Sequence, residues 1–229
     1  MLRTHCLFRR LGLLILVTGS GWFPSPGWAR AAAELPAVLH YDLRLHLFPA
    51  TGRLAAEARL VIGNPTRMPI AQVPLVLYRL FEVTEVTAAD GQRLRFQQTV
   101  ERFREPDRFQ VLFVQVTLAR PLRPGDSTVV RLRYGGPYLG ASEVWPYLHD
   151  RVSEDFTLIR PDAAGYPMVS DLDRLAAGPS RQFTWTLEVS VPGDYRVASG
   201  GTAQPPLTEG ESPAGVPGFG GGDPAPHPE

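Results

Sequence analysis

Between Tyr41 and Gly201 the chain repeats one pattern: short segments alternate apolar and polar residues, and each closes on Gly, Pro, Asp or Asn. Alternation with period two sends successive side chains to opposite faces of an extended strand. In the first such run Tyr41, Leu43, Leu45 and Leu47 share one face, and Asp42, Arg44 and His46 share the other. Strands of this kind are stable only when paired into sheets whose apolar faces are covered. No stretch carries a convincing helical period. The succession therefore predicts an all-β fold, an antiparallel β-sandwich or a saddle-shaped sheet pair.

The turn residues divide the pattern further. Pro49-Ala50-Thr51-Gly52 links the first run to Leu54–Ile62, a hairpin that ends at Gly63-Asn64-Pro65. Strands are expected at Leu75–Tyr78 and Glu82–Val86, with Asp90-Gly91 as a hairpin turn and Leu94-Arg95-Phe96 opening the return. Phe109–Leu118 is apolar on both faces, which predicts a central or inter-sheet strand. The turn Pro121–Asp126 leads to Thr128–Tyr134, with Val130, Leu132 and Tyr134 towards the core. Residues 138–180 have no sustained period apart from a short strand expected around Phe156–Ile159. Phe183–Val191 is the last clear strand, followed by the turn Pro192-Gly193-Asp194 and then Tyr195–Ser199.

The ends have a different character. Arg3, Arg9 and Arg10 precede the apolar run Leu11–Val17, and Ala29-Arg30-Ala31 offers the small residues of a signal-peptidase site. Residues 1–31 are thus expected to be a cleavable secretory signal and the protein to be exported, periplasmic or extracellular. An uncleaved signal acting as a membrane anchor is the alternative. The interruptions at Gly12, Gly19, Gly21, Pro24, Pro26 and Gly27 suit it poorly, since a span needs about 20 mainly apolar residues. No membrane span is expected after cleavage. The single cysteine, Cys6, lies within the signal, so the folded part, residues 33–201, relies on an ordinary hydrophobic core. Residues 202–229 are rich in Gly and Pro and too poor in apolar residues to offset the cost of ordering, which predicts a disordered tail.

Charge and chemistry narrow the function. The 23 basic residues are all arginine, so lysine-based chemistry is excluded. Net charge is zero with the signs interspersed, and no basic run suggests a nucleic-acid partner. His40 and His46 share a polar strand face but are too far apart to hold one metal, and His149-Asp150 could join such a site only through tertiary structure. Glu154-Asp155 and Asp171-Leu172-Asp173 are acidic pairs whose ordinary role is as solvated loop charges. No nucleophile elbow, phosphate-cradling loop or His-Glu-x-x-His is present. No catalytic residue, metal ligand or cofactor is therefore expected. Trp145-Pro146-Tyr147 and Tyr166-Pro167 stand out as aromatic loop residues. Trp145, Tyr147 and Tyr166 either contact a partner or close the end of the core beneath a long connection.

Several of these segments, in order, resemble the N-terminal β domain of the M1 (gluzincin) aminopeptidase family. Tyr41-Asp42-Leu43-Arg44-Leu45 is similar to the family's first strand, and Leu132-Arg133-Tyr134-Gly135-Gly136 to its strand ending in Tyr-x-Gly. Tyr166-Pro167-Met168-Val169-Ser170-Asp171 resembles the Phe/Tyr-Pro…Asp segment, and Phe183–Val191 with the turn to Gly201 resembles the closing strand. The resemblance implies a saddle-like β domain that, in the family, accompanies a zinc-bearing catalytic domain. The family's substrate-contacting Gln or Glu would fall in Phe156–Arg160, where this chain has Leu158. The expectation is an exported, non-catalytic M1-like β domain: a truncated peptidase, or a part acting with a separately encoded catalytic domain. The alternative is a free-standing β-sandwich binding module for a protein or cell-envelope ligand.

Overall fold

The computed structural model describes residues 35–104, 108–141, 148–172, 182–193 and 195–202. The proposed signal, residues 1–31, and residues 203–229 of the proposed tail lie outside them. The chain divides into two units, residues 1–190 and 191–229.

Among its described residues the first unit has nine strands: β1 (Ala37–Phe48), β2 (Arg53–Gly63), β3 (Ile70–Tyr78), β4 (Glu82–Ala88), β5 (Arg95–Arg102), β6 (Gln110–Leu122), β7 (Ser127–Pro137), β8 (Met168–Val169) and β9 (Thr184–Ser190). They form a five-stranded sheet, order β4-β7-β2-β1-β9, and a four-stranded sheet, order β5-β6-β3-β8. The expected all-β, two-sheet architecture is present.

The β1–β2 hairpin forms in continuous antiparallel register from His40↔Val61 to Phe48↔Arg53. Its turn is one 3-10 turn, Pro49–Thr51, closed by Gly52 at φ 63°. Period two then builds the core. Leu54, Ala56, Ala58, Leu60 and Ile62 of β2 are buried, as are Tyr41, Leu43, Leu45 and Leu47 of β1 and Val130, Leu132 and Tyr134 of β7. The smaller sheet buries Val73, Leu75 and Leu77 of β3 and Leu112, Val114 and Val116 of β6. As its two apolar faces require, β6 is central, between β5 and β3. Its second face, with Phe109, Val111 and Phe113, belongs to a further cluster with Val76, Phe103, Ala141, Ala164 and Met168. Ala141, Ala164, Tyr166, Met168 and Leu172 thus cover the outer side of the smaller sheet.

Four expectations require correction. First, Asp90-Gly91 does turn the chain, with Gly91 at φ 85°, but only the bridge Thr87↔Arg93 continues the pairing. After that β5 leaves for the other sheet. Second, β9 pairs with β1 in parallel, so the larger sheet is mixed and not purely antiparallel. A parallel neighbour cannot be joined through a tight hairpin, and β2 to β8 all lie between β1 and β9 along the chain. Third, residues 156–159 form no strand. The Ser153 hydroxyl donates to the Phe156 carbonyl and accepts from its amide, and such local side-chain bonds compete with a ladder. Fourth, in the second unit the Tyr195 amide donates to the Pro192 carbonyl at 3.1 Å, but Tyr195–Ser199 has no strand structure.

Asn64, at the end of β2, fixes the next connection. Its Nδ2 donates to the carbonyls of Met68 and Leu122, each at 2.8 Å, and its Oδ1 accepts from the Thr66 amide at 2.9 Å. These bonds satisfy a side chain that is almost wholly buried.

Candidate functional site: a charged groove on the five-stranded sheet

The polar positions of β1, β2, β4, β7 and β9 face away from the core, and strand register sorts them into rows. One row reads Glu85, Arg133, Glu57, Arg44, Glu188 across the five strands. Its charges alternate, the favourable cross-strand arrangement. Arg133 Nε lies 2.8 Å from Glu57 Oε1 and its Nη1 3.4 Å from Glu85 Oε2, while Arg44 Nε lies 3.2 Å from Glu188 Oε2. The next row reads Thr87, Arg131, Arg59, Asp42, Thr186. Together these side chains line a groove of about 520 Å3.

Asp42 is held from two sides. Arg59 Nη1 donates to its Oδ2 at 2.7 Å, and His40 Nε2 stands 2.8 Å from its Oδ1. Partial burial pushes the Asp42 carboxyl up, but the hydrogen bonds and charges of His40 and Arg59 outweigh it and hold the group below its usual range. The other ring nitrogen of His40, Nδ1, lies 2.7 Å from Thr184 Oγ1. Hydroxyl, imidazole and carboxylate thus stand in line, as in a nucleophile–base–orienter set. The Thr184 hydroxyl is also placed to donate to the Leu39 carbonyl at 3.5 Å, and Asp42 is shared with Arg59. The arrangement ties β9 to β1.

The residues singled out from sequence are dispersed. Asp150 is buried, and both its oxygens are taken by the Arg160 guanidinium: Nε to Oδ1 at 2.8 Å and Nη2 to Oδ2 at 2.5 Å. That fork leaves Asp150 unsuited to a metal and instead pins the segment covering the smaller sheet. Among the described residues no three His, Cys, Asp or Glu side chains come together as metal ligands. Glu154 and Asp155 are exposed, and Asp173 lies outside the described residues. So do Trp145 and Tyr147. Tyr166 is half-buried, packed against the cluster around Phe109, with its ring edge-on to Tyr41 at 5.5 Å. The backbone amide of Leu158 donates to the Arg151 carbonyl at 3.2 Å.

Sequence reasoning noted Asp42, Arg44 and His46 as one polar face but missed Glu57, Arg59, Arg131 and Arg133 as their neighbours. The signal lay in the charge signs at the outward positions of β2 and β7, and reading it needs the strand order.

The four segments that carry the family resemblance, scattered over more than 140 positions, converge. Tyr41 lies edge-on to both Tyr166 and Phe183, at 5.5 and 5.1 Å. Burial raises the pKa of the Tyr134 hydroxyl, and the nearby Tyr41 and Tyr166 hydroxyls raise it further.

No family model and no curated protein matches the chain. Among solved structures, an M1 zinc metallopeptidase from Deinococcus radiodurans is 32% identical over 48% of this chain and 22% of its own, with a TM-score of 0.38. A mutant of a two-domain M1 zinc metallopeptidase bound to L-arginine is 26% identical over 69% of this chain and 33% of its own, with a TM-score of 0.49. Leukotriene A4 hydrolase from Saccharomyces cerevisiae is 15% identical over 73% of this chain and 26% of its own, with a TM-score of 0.44. The chain spans no more than about a third of the length of these structures. Among the described residues no helix is long and apolar enough to cross a membrane. The chain resembles the N-terminal β domain of the M1 zinc metallopeptidase family.

Proposed function

We propose that this chain is an exported β scaffold of the M1 peptidase type that contributes no hydrolytic machinery itself and acts with a zinc-bearing catalytic domain. The observation that carries this reading is the convergence of Tyr41, Tyr134, Tyr166 and Phe183. Each comes from a different resemblance-bearing segment: the rings of Tyr166 and Phe183 stand edge-on to Tyr41, and the Tyr134 hydroxyl is near enough to those of Tyr41 and Tyr166 to feel their charge. Chance likeness in four short segments would not be expected to bring these side chains near one another. Export rests on the N-terminal pattern of Arg3, Arg9, Arg10, the apolar run and Ala29-Arg30-Ala31. The non-catalytic assignment rests on the lack of a His-Glu-x-x-His in this sequence and on Leu158, which cannot accept a hydrogen bond from a substrate amine through its side chain. The purified protein, assayed with aminoacyl reporter substrates with and without added zinc, should show no turnover above buffer. Zinc-dependent activity that follows the protein through successive columns would overturn the proposal.

A second reading, a binding module that uses Trp145, Tyr147 and Tyr166, has one observation in its favour. Leu148 and Phe156, in the segment that follows Tyr147 along the chain, are 37% and 59% exposed. Exposed apolar side chains of this kind suit contact with a protein or cell-envelope partner. Replacing Trp145 and Tyr147 together by alanine should abolish partner capture and leave the melting temperature unchanged. A large fall in melting temperature would instead make these rings part of the core.

A further inference from the structure

In the groove of the five-stranded sheet, register puts Arg131 of β7 directly opposite Arg59 of β2. Like charges facing each other across a strand pair are destabilising unless something lies between or beside them. Arg59 has Asp42 on its far side. Arg131 has no such acid: among the described residues its Nη1 donates to the carbonyls of Ala88 and Ala89, at 3.2 and 2.8 Å. Those acceptors fix the guanidinium but are neutral. The acids of the adjoining row are already engaged, Glu57 by Arg133 and Glu85 by both Arg133 and Arg93. Arg131 therefore brings an uncompensated positive charge to a concave surface, with Thr87 next to it in register and room for a small ligand.

We propose that this groove binds an oxyanion, a carboxylate or phosphate group, between Arg131 and Arg59, with the Thr87 hydroxyl as a further donor. A guanidinium offers a planar fork of donors that matches either group, and the carbonyls of Ala88 and Ala89 hold that of Arg131 in place before any ligand arrives. The site lies on the face opposite the core, and the proposal does not depend on the peptidase-type reading.

The test is calorimetric titration of the full chain with inorganic phosphate and, separately, with acetate, at ionic strength held constant with sodium chloride. Saturable binding of at least one is expected, and the tighter of the two identifies the group the site prefers. Arg131→Gln should weaken that binding at least tenfold, whereas Arg131→Lys should weaken it less. Arg120→Gln, on the exposed end of β6 in the other sheet, should leave it unchanged. Circular dichroism of each variant verifies folding, and the lysine variant carries the test if the glutamine variant does not fold. Absence of saturable binding by both anions, or an equal loss in the Arg120 variant, would overturn the site.

Discussion

Gly136 has φ 148°, in a region that L side chains rarely adopt, and it lies within β7 opposite Leu54 of β2. A β-carbon there would stand 2.4 Å from the Leu80 carbonyl oxygen and 3.2 Å from Phe81 Cα, both backbone atoms of the connection into β4. Gly91 is a useful contrast: its φ is 85°, yet no atom lies within 4 Å of where its β-carbon would be. Gly91→Ala should cost about 1 kcal/mol from backbone strain alone. Gly136→Ala adds steric overlap that only a backbone shift can relieve, and should cost about 3 kcal/mol or more. Chemical denaturation of the two variants checks this. Equal losses would mean that crowding at Leu80 contributes nothing, and the close approach of β7 to the β3–β4 connection would have to be abandoned. The same glycine belongs to the Tyr-x-Gly likeness, so a packing constraint accounts for the residue there without any catalytic role.

At the scale of elements, the sequence made the strands legible but not their partners. Period two reports which face of a strand is buried, and it did so for β1, β2, β6 and β7. It cannot report which strand lies alongside. The β4–β5 connection, whose Asp90-Gly91 reads as a hairpin turn, and the turn between β6 and β7 both carry the chain from one sheet to the other. The first exchange has a visible cause. A register shift between Val83 and Glu85 interrupts β4, and the Gln98 side chain of β5 takes the place of a backbone neighbour there. Its Oε1 accepts from the Val83 amide at 2.9 Å and its Nε2 donates to the Val83 carbonyl at 3.1 Å. A glutamine acting as a strand partner leaves no mark in hydrophobic periodicity. The parallel placement of β9 was hidden for another reason, since Phe183–Val191 alternates equally well in either direction. The groove was illegible for the same cause as the sheet order: its rows exist only once five strands from four parts of the chain are side by side.

The whole molecule carries an unusual titration. With every basic residue an arginine, no amine side chain loses its proton between neutral pH and about pH 12, so the tyrosines dominate the alkaline range. Burial raises the pKa of Tyr41, Tyr134 and Tyr138 well above the ordinary value of 10.0, with neighbouring tyrosine hydroxyls adding to the shift at each and Asp150 contributing at Tyr138. Among the described residues the Tyr134 hydroxyl has no hydrogen-bond partner to stabilise a phenolate. Because the folded pKa values lie above the unfolded one, these groups favour the folded state fully below about pH 10 and progressively less as pH rises beyond it. There the unfolded chain sheds protons that the folded chain keeps, and each such tyrosine costs up to about 1.4 kcal/mol per pH unit. Three acting together approach about 4 kcal/mol per unit, which against an ordinary domain stability of about 5–15 kcal/mol unfolds the protein within a few units above pH 10. Following phenolate absorbance and far-ultraviolet circular dichroism in one alkaline titration should show the exposed tyrosines ionising first. The buried set should then ionise in a single cooperative step that coincides with loss of strand signal. Replacing Tyr134 by phenylalanine keeps the ring, removes the unpartnered hydroxyl, and should make that step shallower by about one proton and shift it to higher pH. Ionisation of all the tyrosines at ordinary pKa with the strand signal intact would mean that the centre where the four segments meet is open to water, and the argument from their convergence would fail with it.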